Sequence, residues 1–380
     1  MTNTYDVIVI GAGPSGSVAA YVAAKLGLRV LLLDRFRFPR IKPCGGGLTQ
    51  KSVALLRDLG IELNDVIRGT CRRVVVVNSA GSFLITDDEP IISVVSRDEF
   101  DNYLLSNALE MGAEYVIDRV VRVNVHGDYA DVVGMNNTYT GKYVIAADGA
   151  NSVIAKQLGN DIRRNTAMAF MTIARGDYLN DLCMIDMTRI KWGYSWVFPR
   201  GNEEYDVGIG SIHWDNYRDA LVKYVSDVRL REGEIRGHPI PIKARDKIVS
   251  KRIALVGDAA GLADPTTGEG IFYAMYSGAL AALALRNSGN PAEFVNNYLR
   301  VVRPLVKNLS LAYYLSLGTY GIDHLVIGRL GLSAFSISST RNLVKRIMSG
   351  RTWYYQVPTS IVKFSVLKGP QMILKRILHG

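Results

Sequence analysis

With 380 residues and 48% apolar content, the chain is long enough to bury a large core, read as two intimately joined domains. A net charge of +10 suits anionic partners, but no nucleic-acid-binding motif accompanies it, so nucleic acid is not among the expected partners. The three cysteines, Cys44, Cys71 and Cys183, and the five scattered histidines have no metal-ligand spacing, so no metal site is expected. The cysteines also offer no disulfide framework, which points to a reducing cytosol. No signal peptide is expected, because Asp6 precedes the first apolar run. Repeats and low-complexity segments are absent from the sequence.

Chain order begins with an apolar strand that breaks at Gly11 into G-x-G-x-x-G and continues into an Ala-rich helix over 17–25. Gly11 permits a tight turn, Gly13 lets a pyrophosphate approach the backbone, and Gly16 allows close helix–strand packing. The start of that helix offers N–H groups and a positive dipole end to phosphates. A second strand over 29–33 leads to Asp34, placed to accept hydrogen bonds from a ribose. Together these pieces specify a dinucleotide site. A loop follows to about Gly47, with Cys44 set before Gly45, Gly46 and Gly47. A helix is expected over 50–59, strands around 74–77 and 83–86, and a helix from Arg97 to Met111. Strands near 113–117, 120–125 and 130–133 lead to a further strand that ends at Asp148-Gly149.

From about 165 to 242 the chain is strand-rich, with one helix near 216–228. Here Trp192, Tyr194, Trp196 and Phe198 recur at every second position, so a strand would place all four on one face, with Pro199 ending it. That face is either a wall of an apolar slot or a sheet face packed into the core. An apolar run then reaches Gly257-Asp258, followed by Gly268-Glu269-Gly270 opening a helix over 271–285. The helix start would bring positive charge to a bound group. The domains are therefore drawn as 1–164, a strand-rich insert at 165–242, a return segment at 243–303 and a helical tail at 304–380.

The tail concentrates the charge. Residues 304–380 hold ten Lys/Arg against one acid, Asp323, so they carry +9 of the chain's +10. Segments 341–348 and 361–378 read as basic amphipathic helices suited to anionic headgroups, or alternatively as a solvated helical cap. A membrane span needs about 20 apolar residues. The best stretch here, 308–322, has 15 uncharged residues and includes Asn, Ser, Thr and Gly, so the tail is expected to lie on a surface and not to span one.

The glycine motif with Asp34, the Arg97 helix start, Asp148-Gly149 and Gly257-Asp258, in this order, resemble the FAD-dependent hydroxylase and reductase superfamily over the first 290 residues or so. Lys42-Pro-Cys44-Gly45-Gly46-Gly47-Leu48, Tyr194-Ser-Trp196-Val-Phe198-Pro199 and Gly208-Ile-Gly210 are similar to the geranylgeranyl reductase family, most like the archaeal digeranylgeranylglycerophospholipid reductases. The stretch Thr267 to Met275 fits too, and its Glu269 leans toward the chlorophyll-pathway branch.

The resemblance implies an α/β fold. It would be a Rossmann-like FAD-binding domain of the glutathione-reductase/hydroxylase type, with an inserted β-rich substrate domain and a helical C-terminal tail. It implies FAD bound by Gly11, Gly13, Ser15, Gly16, Asp34, Arg35, Cys44, Gly45, Gly46, Gly47, Arg97, Val121, Asp148, Gly257, Asp258, Gly268, Gly270 and Ile271. Tyr194, Trp196 and Phe198 would line the prenyl chain. Cys44, beside the flavin, would donate a proton, modulate the flavin or simply fill space. The implied reaction is flavin-to-alkene hydride transfer on geranylgeranyl chains of archaeal glycerophospholipids, with a proton reaching the other carbon. Its partners would be a prenylated lipid, a membrane surface and an electron donor (NAD(P)H, ferredoxin or deazaflavin). The protein would then be cytoplasmic, peripheral at the inner face of the membrane.

Alternatives from other classes share the scaffold. Geranylgeranyl reduction on chlorophyll or a diphosphate stays within the family. A flavin monooxygenase or halogenase would use NADPH and oxygen, but the halogenase signature W-x-W-x-I-P meets Tyr194 and Phe198 here. A quinone-linked carrier usually brings an iron–sulfur module, which these cysteines cannot supply. A non-catalytic protein that binds flavin and lipid would leave the chain unsaturated.

Overall fold

The computed structural model describes residues 4–322, except 64, 80, 178–180, 214 and 287, together with 342 and 345–356. The chain folds as two compact units, each assembled from separated stretches. Unit 1 holds Met1–Ile41, Asp98–Thr166 and Ile240–Ser310; unit 2 holds Lys42–Arg97, Ala167–Pro239 and Leu311–Gly380.

Unit 1 is built on parallel strands. Ile253–Leu255, Thr138–Ala146, Tyr5–Ile10, Val30–Asp34 and Glu114–Ile117 lie side by side in that order, every neighbouring pair parallel. Such strands are covered on both faces, which is why Val7 to Val9 and Val30 to Leu33 are fully or almost fully buried and read as unbroken apolar runs. An antiparallel arm, Val120–Val125 with Ala130–Gly134, extends from Thr138–Ala146. Two helices cover the sheet, Pro14–Lys25 and Ile271–Arg286. They approach closely at Gly278, where a Cβ would stand 2.2 Å from the Ser15 carbonyl oxygen.

Unit 2 is organised by a seven-stranded, largely antiparallel sheet in the order Arg236–Pro241, Thr166–Arg175, Glu204–Ser211, Gly193–Gly201, Leu182–Asp186, Arg73–Asn78 and Gly81–Thr86. One face packs on the helix Arg218–Asp227: Val197, Val207, Ile209 and Tyr205 bury against Leu221, Tyr224 and Val225. A small sheet of Gly47–Thr49, Ile92–Val95 and Ile67–Cys71 completes the unit with the helix Gln50–Leu59. The stretch 42–97, drawn from sequence into the first domain, folds instead with 167–239, because Arg73–Asn78 pairs in parallel with Leu182–Asp186.

That pairing overturns the cysteine expectation. Cys71 and Cys183 form a disulfide, with S–S 2.05 Å, across a separation of 112 residues, and only Cys44 is a free thiol. Spacing could not reveal it, since the partners meet only through a sheet crossover. The argument from cysteines to a reducing compartment therefore falls. The sulfurs sit among Val74, Ile85, Ile92 and Val94, with Phe198 and Met348 packed alongside.

Two further expectations change. The boundary at Pro304 is no break, because one helix, Pro291–Ile322, runs through it. Segment 361–378 and residues 341, 343 and 344 lie outside the described residues, while 345–348 form a helical turn. Among the described residues, no helix is long and apolar enough to cross a membrane.

Candidate functional site

In unit 1 the glycine loop is closed from several sides. Gly11 has φ +100°, and a Cβ there would fall 2.4 Å from the Ala147 carbonyl oxygen; one on Gly16 would fall 1.7 Å from the Gly11 carbonyl oxygen. The N-cap of the helix that starts at Pro14 is Gly13, which has no side chain to cap it, so the helix start suits an incoming anion. The Gly257-Asp258 turn arrives at the same place. A Cβ on Gly257 would lie 3.0 Å from Ser15 Oγ, and the Gly257 N–H donates to Ser277 Oγ at 2.9 Å.

Half-buried Asp258 stands beside Gly270, whose Cβ position is 3.6 Å from Asp258 Oδ1. The Gly268–Gly270 turn before Ile271 is held by fully buried Asp264. Its Oδ1 accepts from the Thr266 and Thr267 N–H groups and its Oδ2 from the Tyr273 hydroxyl. Gly268 adopts φ +67° within this turn.

Other predicted residues hold the framework. Asp34 Oδ2 accepts the Ala12 N–H at 2.7 Å and Oδ1 the Phe36 N–H at 2.9 Å, so the carboxylate ties the glycine loop to the end of the second strand. Asp148 accepts from Ser152 Oγ and from the Val153 and Ile154 N–H groups, capping the short helix Val153–Gln157. Arg35 is exposed and lies over the Phe36 ring, and Val121 is exposed on the antiparallel arm.

Sequence reading missed Arg40. Its guanidinium pairs with fully buried Asp101 at 3.1 Å and reaches within 3.4 Å of the Cβ position of Gly13, a cation at the mouth of the glycine loop. The only signal was a basic residue in an Arg/Phe-rich loop, whose partner lies on a helix far along the chain.

In unit 2 the aromatic residues share a face, with one correction. Trp192 has φ +60° and lies in the turn before the strand Gly193–Gly201, its ring tilted against that of His213 at 5.0 Å, so it leaves the stripe. Tyr194, Trp196 and Phe198 remain, with ring centroids 6.0 and 6.4 Å apart. Pro199 does not end the strand: pairing with Glu204–Ser211 continues to Gly201. Pairing on the other edge stops at Val197, so a residue without an N–H is tolerated there.

The same register sets small residues opposite the large ones. Trp196 pairs with Gly208 and Tyr194 with Gly210, while Phe198 faces Asp206. The indole lies so close over Gly208 that a Cβ would be 2.0 Å from Trp196 Cζ2. The Cys44 loop lies against this face. Cβ positions on Gly45 and Gly47 fall 2.9 Å from Trp196 Nε1 and 3.1 Å from Phe198 Cε2. Gly46 has φ +63°, and its carbonyl accepts the Val95 N–H. Cys44 is partly exposed. Arg97, 6% exposed, opens the helix Arg97–Glu110.

Asp206 was also missed. It is 1% exposed and accepts the Trp196 indole N–H at 3.1 Å, and burial pushes its carboxyl up to about 7. Among the described residues no cluster of His, Cys, Asp or Glu could hold a metal ion.

A rigid glycine cradle, an uncapped helix start and a cation beside Gly13 suit a dinucleotide, and comparison with known proteins says which. An FAD binding domain family matches residues 4–288. A menaquinone reductase of Mycobacterium tuberculosis is 32% identical, over 73% of this chain and 75% of that protein. A digeranylgeranylglycerophospholipid reductase of Picrophilus torridus is 31% identical, over 80% and 84%. A solved geranylgeranyl bacteriochlorophyll reductase-like protein of Thermoplasma acidophilum superposes with TM-score 0.79 at 24% identity, covering 95% of this chain and 99% of that one. Flavin-dependent halogenases share the fold at lower identity, so fold alone does not choose the chemistry. The chain is a flavin-dependent oxidoreductase whose cofactor is FAD, and it belongs to the geranylgeranyl reductase family of FAD-binding-domain proteins.

Proposed function

We propose that the protein hydrogenates C=C bonds of geranylgeranyl chains carried on an archaeal-type glycerophospholipid. The observation that carries this reading is the stripe of Tyr194, Trp196 and Phe198, opposed by Gly208 and Gly210 and bordered by the Cys44–Gly47 loop. A bulky aromatic row beside side-chain-free positions makes an elongated apolar surface, which suits a long unbranched-width chain better than a compact aromatic substrate. The relative named for reducing a digeranylgeranylglycerophospholipid supports the prenyl chain as the element this surface takes.

When bound, FAD supplies the hydride. Gly11, Gly13, Ser15, Gly16, Asp258, Gly268 and Gly270 hold it, with Arg40 neutralising pyrophosphate charge. The aromatic row aligns the alkene and keeps water away from it, and alignment matters greatly because an isolated alkene is a poor hydride acceptor. Cys44, at the head of the Gly45–Gly47 loop that borders this surface, would bring a proton to the other alkene carbon. An electron donor (NAD(P)H, ferredoxin or a deazaflavin) supplies the reducing equivalents. The tail, with +9 of the chain's charge, holds the protein at the inner, anionic face of the membrane from the cytoplasm.

The menaquinone reductase relative favours a second reading, in which the same surface takes the prenyl tail of a quinone. One experiment separates the two. Purified protein is reduced chemically without oxygen and mixed in parallel with digeranylgeranyl glycerophospholipid and with menaquinone, and the products are weighed by mass spectrometry. Gains of one hydrogen pair per step on the phospholipid establish the first reading; gains on menaquinone alone that persist after the ring is reoxidised to the quinone in air establish the second. No gain on either, with reduced flavin present, refutes prenyl reduction.

A further inference from the structure

Buried carboxylates are expensive, and the face that bears the aromatic stripe contains one with incomplete partners. Among the described residues Asp206 receives a single side-chain hydrogen bond, from Trp196 Nε1 at 3.1 Å, while its Oδ2 lies 3.9 Å from Arg200 Nη1. Asp206 Oδ2 and Arg200 Nε are both buried without a hydrogen-bond partner among the described residues. Arg200 in turn donates from Nη2 to Ser96 Oγ at 2.9 Å, the residue before Arg97. An apolar side chain at 206 would pack beside Phe198 without this cost, so stability alone does not account for the carboxylate.

Geometry shows what Asp206 does hold. The Trp196 ring is fixed at Nε1 by Asp206, beneath by the bare Gly208 backbone and along the stripe by Tyr194 and Phe198. Its Nε1 edge is also where Gly45 comes closest. Rotating the indole would break the hydrogen bond and open the seat of the Cys44 loop together.

We propose that Asp206 is a positioning residue for the prenyl-chain surface: it fixes the plane of Trp196 and, through Trp196, the seat of the Gly45–Gly47 backbone. This rests on the reading of that face as the chain-binding surface. Arg200 links the same carboxylate to the Ser96–Arg97 segment, so the aromatic row and the start of the Arg97 helix share one anchor.

The test combines indole emission, read on the purified protein without substrate, with steady-state turnover. Emission from Trp196 is isolated as the difference from Trp196→Phe. Asp206→Ala shifts that emission to the red and lowers kcat/KM for the prenyl substrate about tenfold, the usual scale for one lost buried hydrogen bond. Asp206→Asn, which keeps an Oδ1 acceptor, restores both. Combining Asp206→Ala with Trp196→Phe costs no more than the worse single change, because both delete the same contact.

The proposal is overturned by unchanged emission in Asp206→Ala, by Asp206→Asn as damaging as alanine, or by losses that multiply. Should Asp206→Ala fail to fold, Trp196→Phe deletes the bond from the other side, and full activity in that variant overturns the proposal. Emission needs no substrate, so a failed turnover assay alone would count against the function and not against the positioning role.

Discussion

Replacing Gly208 by alanine is the sharpest available probe of the aromatic face. The added Cβ would stand 2.0 Å from Trp196 Cζ2 and 2.5 Å from Cε2 and Cη2. Carbon–carbon contact is comfortable at about 3.5–4.0 Å, so the indole must retreat by roughly 1.5 Å. Tyr194, Phe198 and Gly45 hem the ring in, and a shift of that size carries its Nε1 out of reach of Asp206. Overpacking costs about 1–3 kcal/mol, and a buried carboxylate that loses its donor costs about as much again. A total of about 2–6 kcal/mol is expected.

Gly210→Ala is the matched control, two residues along the same strand. Its Cβ would meet Ala169 Cβ at 3.5 Å and Trp196 Cζ3 at 3.7 Å, both ordinary contacts, so it should change stability by less than about 0.5 kcal/mol. Neither glycine has a positive φ, so backbone strain does not enter the comparison. Urea unfolding followed by circular dichroism measures both variants. Equal stability of the two would refute the packing of Trp196 over Gly208, and with it the geometry of the proposed surface.

Three further outcomes are expected. Gly11→Ala should yield protein without flavin, seen as the loss of the yellow absorbance band, because its Cβ meets the Ala147 carbonyl oxygen and its φ is +100°. Asp206, with its folded pKa raised to about 7 from 3.8, is easier to keep buried when protonated. Its stabilising share is therefore whole below about pH 4 and lost as pH rises through 7, a swing of about 4 kcal/mol at 1.36 kcal/mol per tenfold in acidity. The stability difference between the native protein and Asp206→Asn should follow that course between pH 4 and pH 8 in urea titrations, and a flat difference would contradict it. Thiol alkylation in denaturant should label one cysteine before reduction and three after. Reduction should destabilise the fold by about 2–5 kcal/mol, the scale expected for closing a loop of this length.

The parts of the fold legible in sequence are those written locally. The apolar run into Gly11, the unbroken Val30–Leu33 stretch and the helix Gln50–Leu59 each declare themselves within a dozen residues, and each lies where expected. What stayed hidden depends on partners far along the chain. Nothing near Arg73 announces that it will lie beside Leu182, and without that pairing neither the disulfide nor the composition of unit 2 is visible. Alternation correctly put Tyr194, Trp196 and Phe198 on one face but could not see that Trp192 sits in a left-handed turn. At the site, the glycines were legible because their role is steric and local. Asp101, Asp206 and Asp264 were not, because an acidic residue in a sequence reads as surface until its burial is known.

The cross-link between Cys71 and Cys183 spans the whole excursion in which the chain leaves unit 2 at Arg97 and returns at Ala167. Residues 72–182 are thus a covalently closed ring that contains the middle stretch of unit 1. A protease that nicks this ring once, for example at the exposed arm around Gly127, produces two polypeptides that stay joined. They migrate together on a non-reducing gel and separate only when thiol is added. Limited digestion can therefore open the middle of the nucleotide-binding unit without releasing either half of the molecule.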